Sequence, residues 1–282
     1  QIQLRFGEMF DDDGEFTQKN FQLRRPKGYL NLFKTIQAVV IGEKIKKNYE
    51  YAPLQQVTFI CSGNEDEYKT EFAVFGFQYV LIETDVPFDV DDFEAIAVYS
   101  DMKEIGAFET SNEKINKLYS NTVWSMKSNF LDLPTDCPTR ERLGWTGDAQ
   151  LFFETGSCMM ECAPVYRKYM KDMRDAQLKK GTLPSVLPYA GVSLAYDNTG
   201  NSVGWSDAIV LLPYRFWKLY SDTEILEENY QMMKKYATYM IDNCGATSKE
   251  AKKNNPYAEY VYEKGFHFGE WLEPQEFNEN SM

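Results

Sequence analysis

An antiparallel β-sandwich over residues 1–104, followed by a helical domain over residues 105–282, is the fold this sequence predicts. Three observations carry that expectation. Up to about residue 100 the apolar residues recur at every second position in several short runs separated by turn residues, the pattern of half-buried strands. From about residue 105 they recur at helical spacing instead. All five tryptophans, at 124, 145, 205, 217 and 271, lie in that second part.

The β reading begins with Ile2, Leu4 and Phe6, which alternate with polar neighbours, and continues with Val57, Phe59 and Cys61. Phe72 and Val74, then Phe77, Tyr79 and Leu81, form a run broken at Gly76, which predicts a bulge or bend there. Glu94–Tyr99 closes the set. Asp11-Asp12-Asp13-Gly14, Ser62-Gly63-Asn64 and Asp85-Val86-Pro87 supply the turns. The acidic runs at 11–13 and 89–92 lack the full ligand spacing of a calcium loop and read as solvated turns.

In the helical part, Thr110 and Glu113 are spaced as a capping box, ahead of a face formed by Ile115, Leu118, Tyr119, Val123, Met126 and Phe130. Residues 149–162 are apolar on nearly every side, as a helix buried among neighbours would be. Pro164 should kink or restart the chain before a helix at 165–179, and 181–204 reads as a long loop rich in Gly, Pro, Ser and Asn. Ser206–Tyr220 is helical despite Pro213. Ser221 and Glu224 are placed to cap the next helix, with Ile225, Leu226, Met233, Ala237, Met240 and Ile241 on one face. Residues 245–260 are polar and read as exposed.

Composition excludes several functions. A net charge of −13 and a pI near 4.7 argue against nucleic acid or an anionic membrane surface as partner, since both need a basic footprint. No apolar run is long enough to span a bilayer. A neutral ligand fits; self-association is left open, and so is the compartment. The N-terminus has no Met and no signal-peptide pattern, and reads as cut from a longer chain. Five scattered cysteines read as free thiols; Cys158 and Cys162 are four apart, but with no histidine nearby they read as small buried apolar groups. A single histidine, His267, makes metal clusters and a Ser-His-Asp triad poor candidates and leaves carboxylates for proton transfer.

One stretch concentrates that chemistry: Pro134-Thr135-Asp136-Cys137-Pro138-Thr139-Arg140-Glu141-Arg142-Leu143-Gly144-Trp145-Thr146-Gly147-Asp148. Its prolines and glycines forbid a helix interior or a central strand, so it is a shaped loop presenting acids, guanidinium groups and an indole. Trp145, Trp205 and Trp271 each stand beside a glycine and an acid, outside helical periodicity. Indole faces stack on the C–H faces of sugars, while carboxylates and guanidinium groups bond the hydroxyls.

From Asp136 to Asp148 the sequence resembles the signature of family 78 glycoside hydrolases, the inverting α-L-rhamnosidases. The likeness extends to Phe75–Val80, Gly106–Asn116, Gly204-Trp205-Ser206-Asp207-Ala208 and Gly269-Glu270-Trp271-Leu272. It implies an N-terminal antiparallel β-sandwich followed by part of an (α/α)6 barrel, and hydrolysis of terminal α-L-rhamnosides without cofactor or metal. It assigns the general acid to Glu141 and substrate contacts to Asp136, Arg140, Trp145, Asp148, Trp205, Asp207 and Trp271, expected to line one pocket around a rhamnose-containing glycan or glycoside. A general acid must keep its proton near neutral pH, whereas Arg140 and Arg142 flank Glu141 and favour its ionised form. Asp136 and Asp148 with partial burial must outweigh them, or the arginines must point elsewhere. The barrel calls for twelve helices, of which this chain supplies about half, and the family's general base has no counterpart in it; on this resemblance residues 1–282 alone should be inactive. Glu270 and Glu273 are the nearest substitutes for a base. A non-catalytic glycan-binding protein on the same fold is the alternative. Another carbohydrate enzyme of the barrel class, a phosphorylase or lyase, would need a phosphate pocket or a Tyr/His pair.

Overall fold

The structure is a computed structural model that describes residues 1–18, 20, 55–189 and 200–269. The chain divides into two compact units, Gln1–Asp101 with Phe108–Leu143, and Met102–Ala107 with Gly144–Met282. The first is an antiparallel sheet with one helix, and the second is helical.

In the first unit, β1 (Ile2–Gly7) is the middle strand of a three-stranded sheet, flanked by β4 (Gln56–Phe59) and β5 (Tyr79–Thr84). Leu4 lies opposite Val57 on one side and Ile82 on the other. The period-two pattern therefore places Leu4 and Phe6 on one face; Phe6 is buried and stacks on Phe75 with ring centroids 4.5 Å apart. On the other face Arg5 pairs with Glu83 at 2.6 Å. A hairpin of β2 (Met9–Phe10) and β3 (Phe16–Thr17) follows β1. Its turn is closed by Asp11, whose Oδ1 accepts from the amides of Asp13 and Glu15. At residues 89–92 Asp89 and Asp92 form a reciprocal capping box on a short 3-10 turn.

The run broken at Gly76 is a strand only from Tyr79. Gly76 itself bonds the side-chain amide of the buried Gln55, whose Nε2 donates to Gly76 O at 2.9 Å and whose Oε1 accepts from Gly76 N at 3.1 Å. The strand expected at 94–99 does not form; these residues join no ladder, and Ile96 and Val98 are half exposed. Alternation alone does not make a strand unless a ladder partner takes up its backbone groups, and among the described residues no strand pairs with this run.

Helix α1 (Glu113–Asn129) is capped by Asn112, whose side chain accepts from Lys114 N. Thr110 is not the cap: its amide and hydroxyl bond the side chain of Asn116, one turn inside the helix. A short hairpin, β6 (Phe130–Leu131) with β7 (Leu133–Pro134), leads from α1 into the motif loop.

The second unit contains α2 (Thr146–Met159), α3 (Ala163–Ala176), α4 (Ala208–Tyr220), α5 (Glu224–Asn243) and the short α6 (Lys249–Asn254). Pro164 restarts the chain as expected, sitting in the first turn of α3 where its missing N–H costs nothing. Phe153 centres the core, edge-on to Tyr166 at 4.8 Å and stacked with Phe216 at 6.1 Å. The phenols of Tyr166 and Tyr169 are buried yet satisfied, donating to the carbonyls of Ala149 and Gly144 at 3.0 Å each. Burial holds both well above the usual tyrosine range.

Three expectations for these helices need correction. Helix α2 is not apolar-buried all round: Asp148, Leu151, Glu154, Thr155 and Cys158 form an exposed stripe at helical spacing, with Leu151 71% exposed. Ser221 does not cap α5 but ends α4 in the left-handed region with φ 55°, and Asp222 Oδ1 accepts from Ile225 N instead. The buried stripe of α5 is Ile225, Asn229, Met232 and Tyr236, while Ala237 and Ile241 are exposed. Asn229 can be buried because its amide donates to Ile225 O and its oxygen accepts from Arg174 at 2.7 Å; a paired polar group costs far less than a bare one.

Candidate active site

Asp136, Arg140 and Glu141 belong to the first unit, and Trp145, Asp148, Trp205 and Asp207 to the second. Trp271, with Glu270 and Glu273, lies outside the described residues.

In the first unit the loop 135–143 is tied at its neck. Asp136 N donates to Leu143 O at 3.1 Å, and Leu143 N returns a bond to Asp136 Oδ1 at 3.0 Å. Within the loop, Glu141 N donates to Cys137 Sγ at 3.0 Å. Burial, reinforced by the Asp136 carboxylate, pushes the Cys137 thiol up, so it stays a neutral hydrogen-bonding group. Pro138 and Thr139 press on Gly76: a Cβ there would lie 2.8 Å from Pro138 O and 2.7 Å from the Thr139 methyl. Gly76 is thus where the sheet meets the loop, and only a residue without a side chain allows that approach.

The two arginines beside Glu141 part company. Arg142 adopts φ 51°, and its Nη1 donates to Val74 O at 2.8 Å, away from Glu141. Arg140 stays close, with Nη2 3.7 Å from Glu141 Oε1 and side-chain exposures of 45% and 32%. A pair this open to solvent is screened and weak. The loop thus holds the Glu141 carboxyl half-buried, on a backbone tied to Cys137 and with the Arg140 guanidinium nearby.

In the second unit Trp145 stands just before α2 and is held by a backbone bridge to Val186, while Thr146 N donates to Ser185 O at 2.9 Å. Asp148 lies in the first turn of α2, exposed, where the positive end of the helix favours a carboxylate. The Trp145 ring meets Phe268 edge-on at 5.4 Å, and Phe268 meets Trp205 at 4.6 Å, so three aromatic rings adjoin in series. Gly147 lets α2 run against the Trp205 indole, since a Cβ at 147 would lie 2.8 Å from its Nε1. The 202–207 and 267–268 segments are joined: Val203 N donates to His267 Nδ1 at 3.0 Å, and Phe268 N to Ser202 Oγ at 3.3 Å.

Asp207 is engaged on both oxygens. Oδ2 accepts from Gly204 N at 2.7 Å, and Oδ1 accepts from the Tyr236 hydroxyl at 2.6 Å. Burial and this carboxylate hold the Tyr236 phenol well above its ordinary value. Gln150 Nε2 donates to Gly204 O at 3.2 Å and is itself fixed by Arg215, which donates to its Oε1 at 2.8 Å.

Phe268, Tyr236 and Gln150 are the participants that sequence reasoning missed. Phe268 had a signal, the aromatic cluster Gly265–Phe268 just ahead of Trp271. Tyr236 and Gln150 had none, because inside a helix they look like any other residue. No three or more His, Cys, Asp or Glu side chains are grouped to hold a metal among the described residues. Cys158 and Cys162 have different surroundings: Cys158 is exposed, contrary to its reading as buried, whereas Cys162 is buried and its thiol is pushed up to about 12. Chemically, the first unit offers a carboxyl group on a shaped loop. The second offers the adjoining rings of Trp145, Phe268 and Trp205, apolar faces of the kind that line a polyol site.

Comparison with known proteins gives the same direction. The family model of the bacterial alpha-L-rhamnosidase 6 hairpin glycosidase domain matches residues 103–282, and that of the bacterial alpha-L-rhamnosidase concanavalin-like domain matches residues 1–99. An alpha-L-rhamnosidase from Formosa agariphila is 30% identical over 99% of this chain, which spans 26% of that protein. The structure of an alpha-L-rhamnosidase from Aspergillus terreus aligns with TM-score 0.70 and 30% identity, covering 98% of this chain and 27% of its own. That of a Streptomyces avermitilis alpha-L-rhamnosidase complexed with L-rhamnose aligns with TM-score 0.64 and 28% identity, covering 86% and 20%. The chain therefore spans about a quarter of the length of such relatives. With family models matched to both its sheet and its helical part, the chain belongs to the bacterial α-L-rhamnosidase family.

Proposed function

We propose that the protein is an inverting glycoside hydrolase that releases terminal α-L-rhamnose from rhamnose-containing glycans or glycosides, with Glu141 as general acid. The observation that carries this is the setting of Glu141: a half-buried carboxyl on a loop whose amide is fixed by Cys137, in a chain of this family. The reading takes residues 1–104 as part of an antiparallel sandwich and residues 105–282 as part of an (α/α)6 barrel.

In such a reaction the leaving oxygen must gain a proton as the glycosidic bond breaks, while a water attacks the opposite face of the sugar. Glu141 gives that proton. Holding its backbone still matters because a misplaced acid loses most of its advantage. Trp145, Trp205 and, by resemblance, Trp271 supply indole faces for the apolar side of rhamnose. By resemblance alone, Asp136, Arg140 and Asp148 are polar contacts of the sugar, and Asp207 belongs to the same set. The step exchanges one C–O bond at the anomeric carbon for another, with one proton given to the leaving oxygen and one taken from the attacking water by a general base, so no change of oxidation state is involved. A relative crystallised with L-rhamnose supports this choice of sugar.

The test uses the intact protein and an aryl α-L-rhamnoside, followed by proton NMR from the first turnover. Release of L-rhamnose that appears first as the β anomer is expected. First appearance of the α anomer would exclude inversion, and absence of turnover with retained L-rhamnose binding would favour a glycan-binding protein.

A further inference from the structure

Asp207 is already committed inside the protein. Of its two oxygens, Oδ1 takes the Tyr236 hydroxyl at 2.6 Å and Oδ2 takes the Gly204 amide at 2.7 Å. Both donors are short and well placed. Tyr236 is 3% exposed and comes from the buried stripe of α5, so this bond joins the helix to the turn before α4. The turn Gly204-Trp205-Ser206-Asp207 is held at three further points. Gln150 Nε2 binds Gly204 O, Ser206 Oγ donates to Leu183 O at 2.8 Å, and Ser202 N donates to Ser206 Oγ at 3.1 Å. Gly204 has φ +86°, a conformation that glycine adopts without strain, and its amide points back to Asp207.

The half-buried indole of Trp205 stands on this framework. One side of the indole is set by the bare Cα of Gly147, and Phe268 lies against it with centroids 4.6 Å apart. An aromatic wall binds a sugar face only if its plane is fixed beforehand, since ordering it on binding would cost affinity.

We propose that Asp207 and Tyr236 are positioning residues: the Tyr236–Asp207–Gly204 chain of hydrogen bonds sets the plane of Trp205, and Asp207 acts on the sugar through that indole. This rests on the reading of the site as a rhamnose site and refines the part Asp207 plays in it. Each oxygen of this carboxylate takes a donor from the protein, a phenol on one side and a backbone amide on the other, so the group is anchored to the framework beneath Trp205.

The experiment compares Tyr236→Phe and Asp207→Asn in the intact protein, each in the wild-type and Trp205→Ala backgrounds. Affinity for L-rhamnose is measured by calorimetry, and KM and kcat with an aryl α-L-rhamnoside. A lost hydrogen bond to a charged group predicts about a tenfold weaker affinity and higher KM in the wild-type background, with kcat changed less than about threefold. In the Trp205→Ala background each substitution should change affinity less than about twofold, because groups that act through one residue are not additive. The same tenfold loss in both backgrounds would overturn the proposal and make Asp207 a direct ligand or a general structural support. No loss in either would also overturn it. A second measurement needs no sugar: Tyr236→Phe should alter the fluorescence that Trp205→Ala removes. If wild-type protein does not bind L-rhamnose, the rhamnose reading fails, and unchanged Trp205 emission in Tyr236→Phe would still refute the positioning role.

Discussion

Cys137 shows how single residues carry this site. Its sulfur accepts the Glu141 amide at 3.0 Å, and the thiol is kept neutral by burial. Cys137→Ala removes the acceptor and frees the backbone beneath the acid. The expected result is about a tenfold fall in kcat for rhamnosides with poor leaving groups, with KM unchanged and a smaller effect on activated aryl rhamnosides, since only the former depend on a well-aimed proton. Cys137→Ser should recover part of the loss; equal losses on both substrate types would point to loop collapse instead. Gly147 is the matching case in the second unit. Gly147→Ala puts a methyl 2.8 Å from the Trp205 indole, and should destabilise by about 1–3 kcal/mol while weakening L-rhamnose affinity, measurable by thermal unfolding and calorimetry. At this scale the sequence marks candidates, and the structure sets two of them, Trp145 and Trp205, against Phe268. Trp145 and Trp205 stood out because indoles beside Gly and an acid break helical periodicity. Tyr236 did not, because a tyrosine on a helix reveals its partner only when Asp207, 29 positions earlier, is brought to it.

Elements hold these residues through contacts between sequence-distant segments. Gly76 is the point where the sheet supports the motif loop, and a Cβ there meets the backbone of Pro138, which cannot swing aside. Gly76→Ala should therefore shift the loop and lower kcat severalfold without a comparable change in L-rhamnose affinity; unchanged kcat would show that the loop does not lean on the sheet. The break at Gly76 was visible as an interrupted alternation, but its cause was not, since nothing local says that Gln55 and Pro138 will occupy that space. Element types were legible from periodicity: the strands at 2–7, 56–59 and 79–84 and the helices from 113 onward follow from it. Helix ends and faces were less so. Thr110 and Ser221 carry capping side chains, yet Asn112 and Asp222 make the bonds. On α5 the apolar residues predicted one face, while the buried one includes Asn229, paired with Arg174. Hydrophobicity alone cannot foresee a polar group that finds its partner on another helix.

For the whole molecule, one part of the pH response comes from buried acids outside the site. Cys162 has its pKa raised from 9.0 to about 12 by burial. In the unfolded chain this thiol loses its proton first, so between about pH 9 and 12 the unfolded state binds fewer protons and stability falls as pH rises. Below about pH 9 the thiol makes no difference to the slope. Cys162→Ala should flatten the decline between about pH 9 and 10.5, with a residual slope above about pH 10 from the buried Tyr166 and Tyr169. An identical slope in the variant would place the alkaline sensitivity elsewhere. The assignment on which the function turns is Glu141 as general acid, and one comparison tests it most directly: Glu141→Gln against wild type in the intact protein, on a rhamnose disaccharide and on a 2,4-dinitrophenyl α-L-rhamnoside. Gln keeps the shape but has no proton to give, so turnover of the disaccharide should fall about 10²–10⁴-fold, with the dinitrophenyl substrate largely spared and L-rhamnose binding intact. Wild-type turnover of the disaccharide by Glu141→Gln would contradict the assignment.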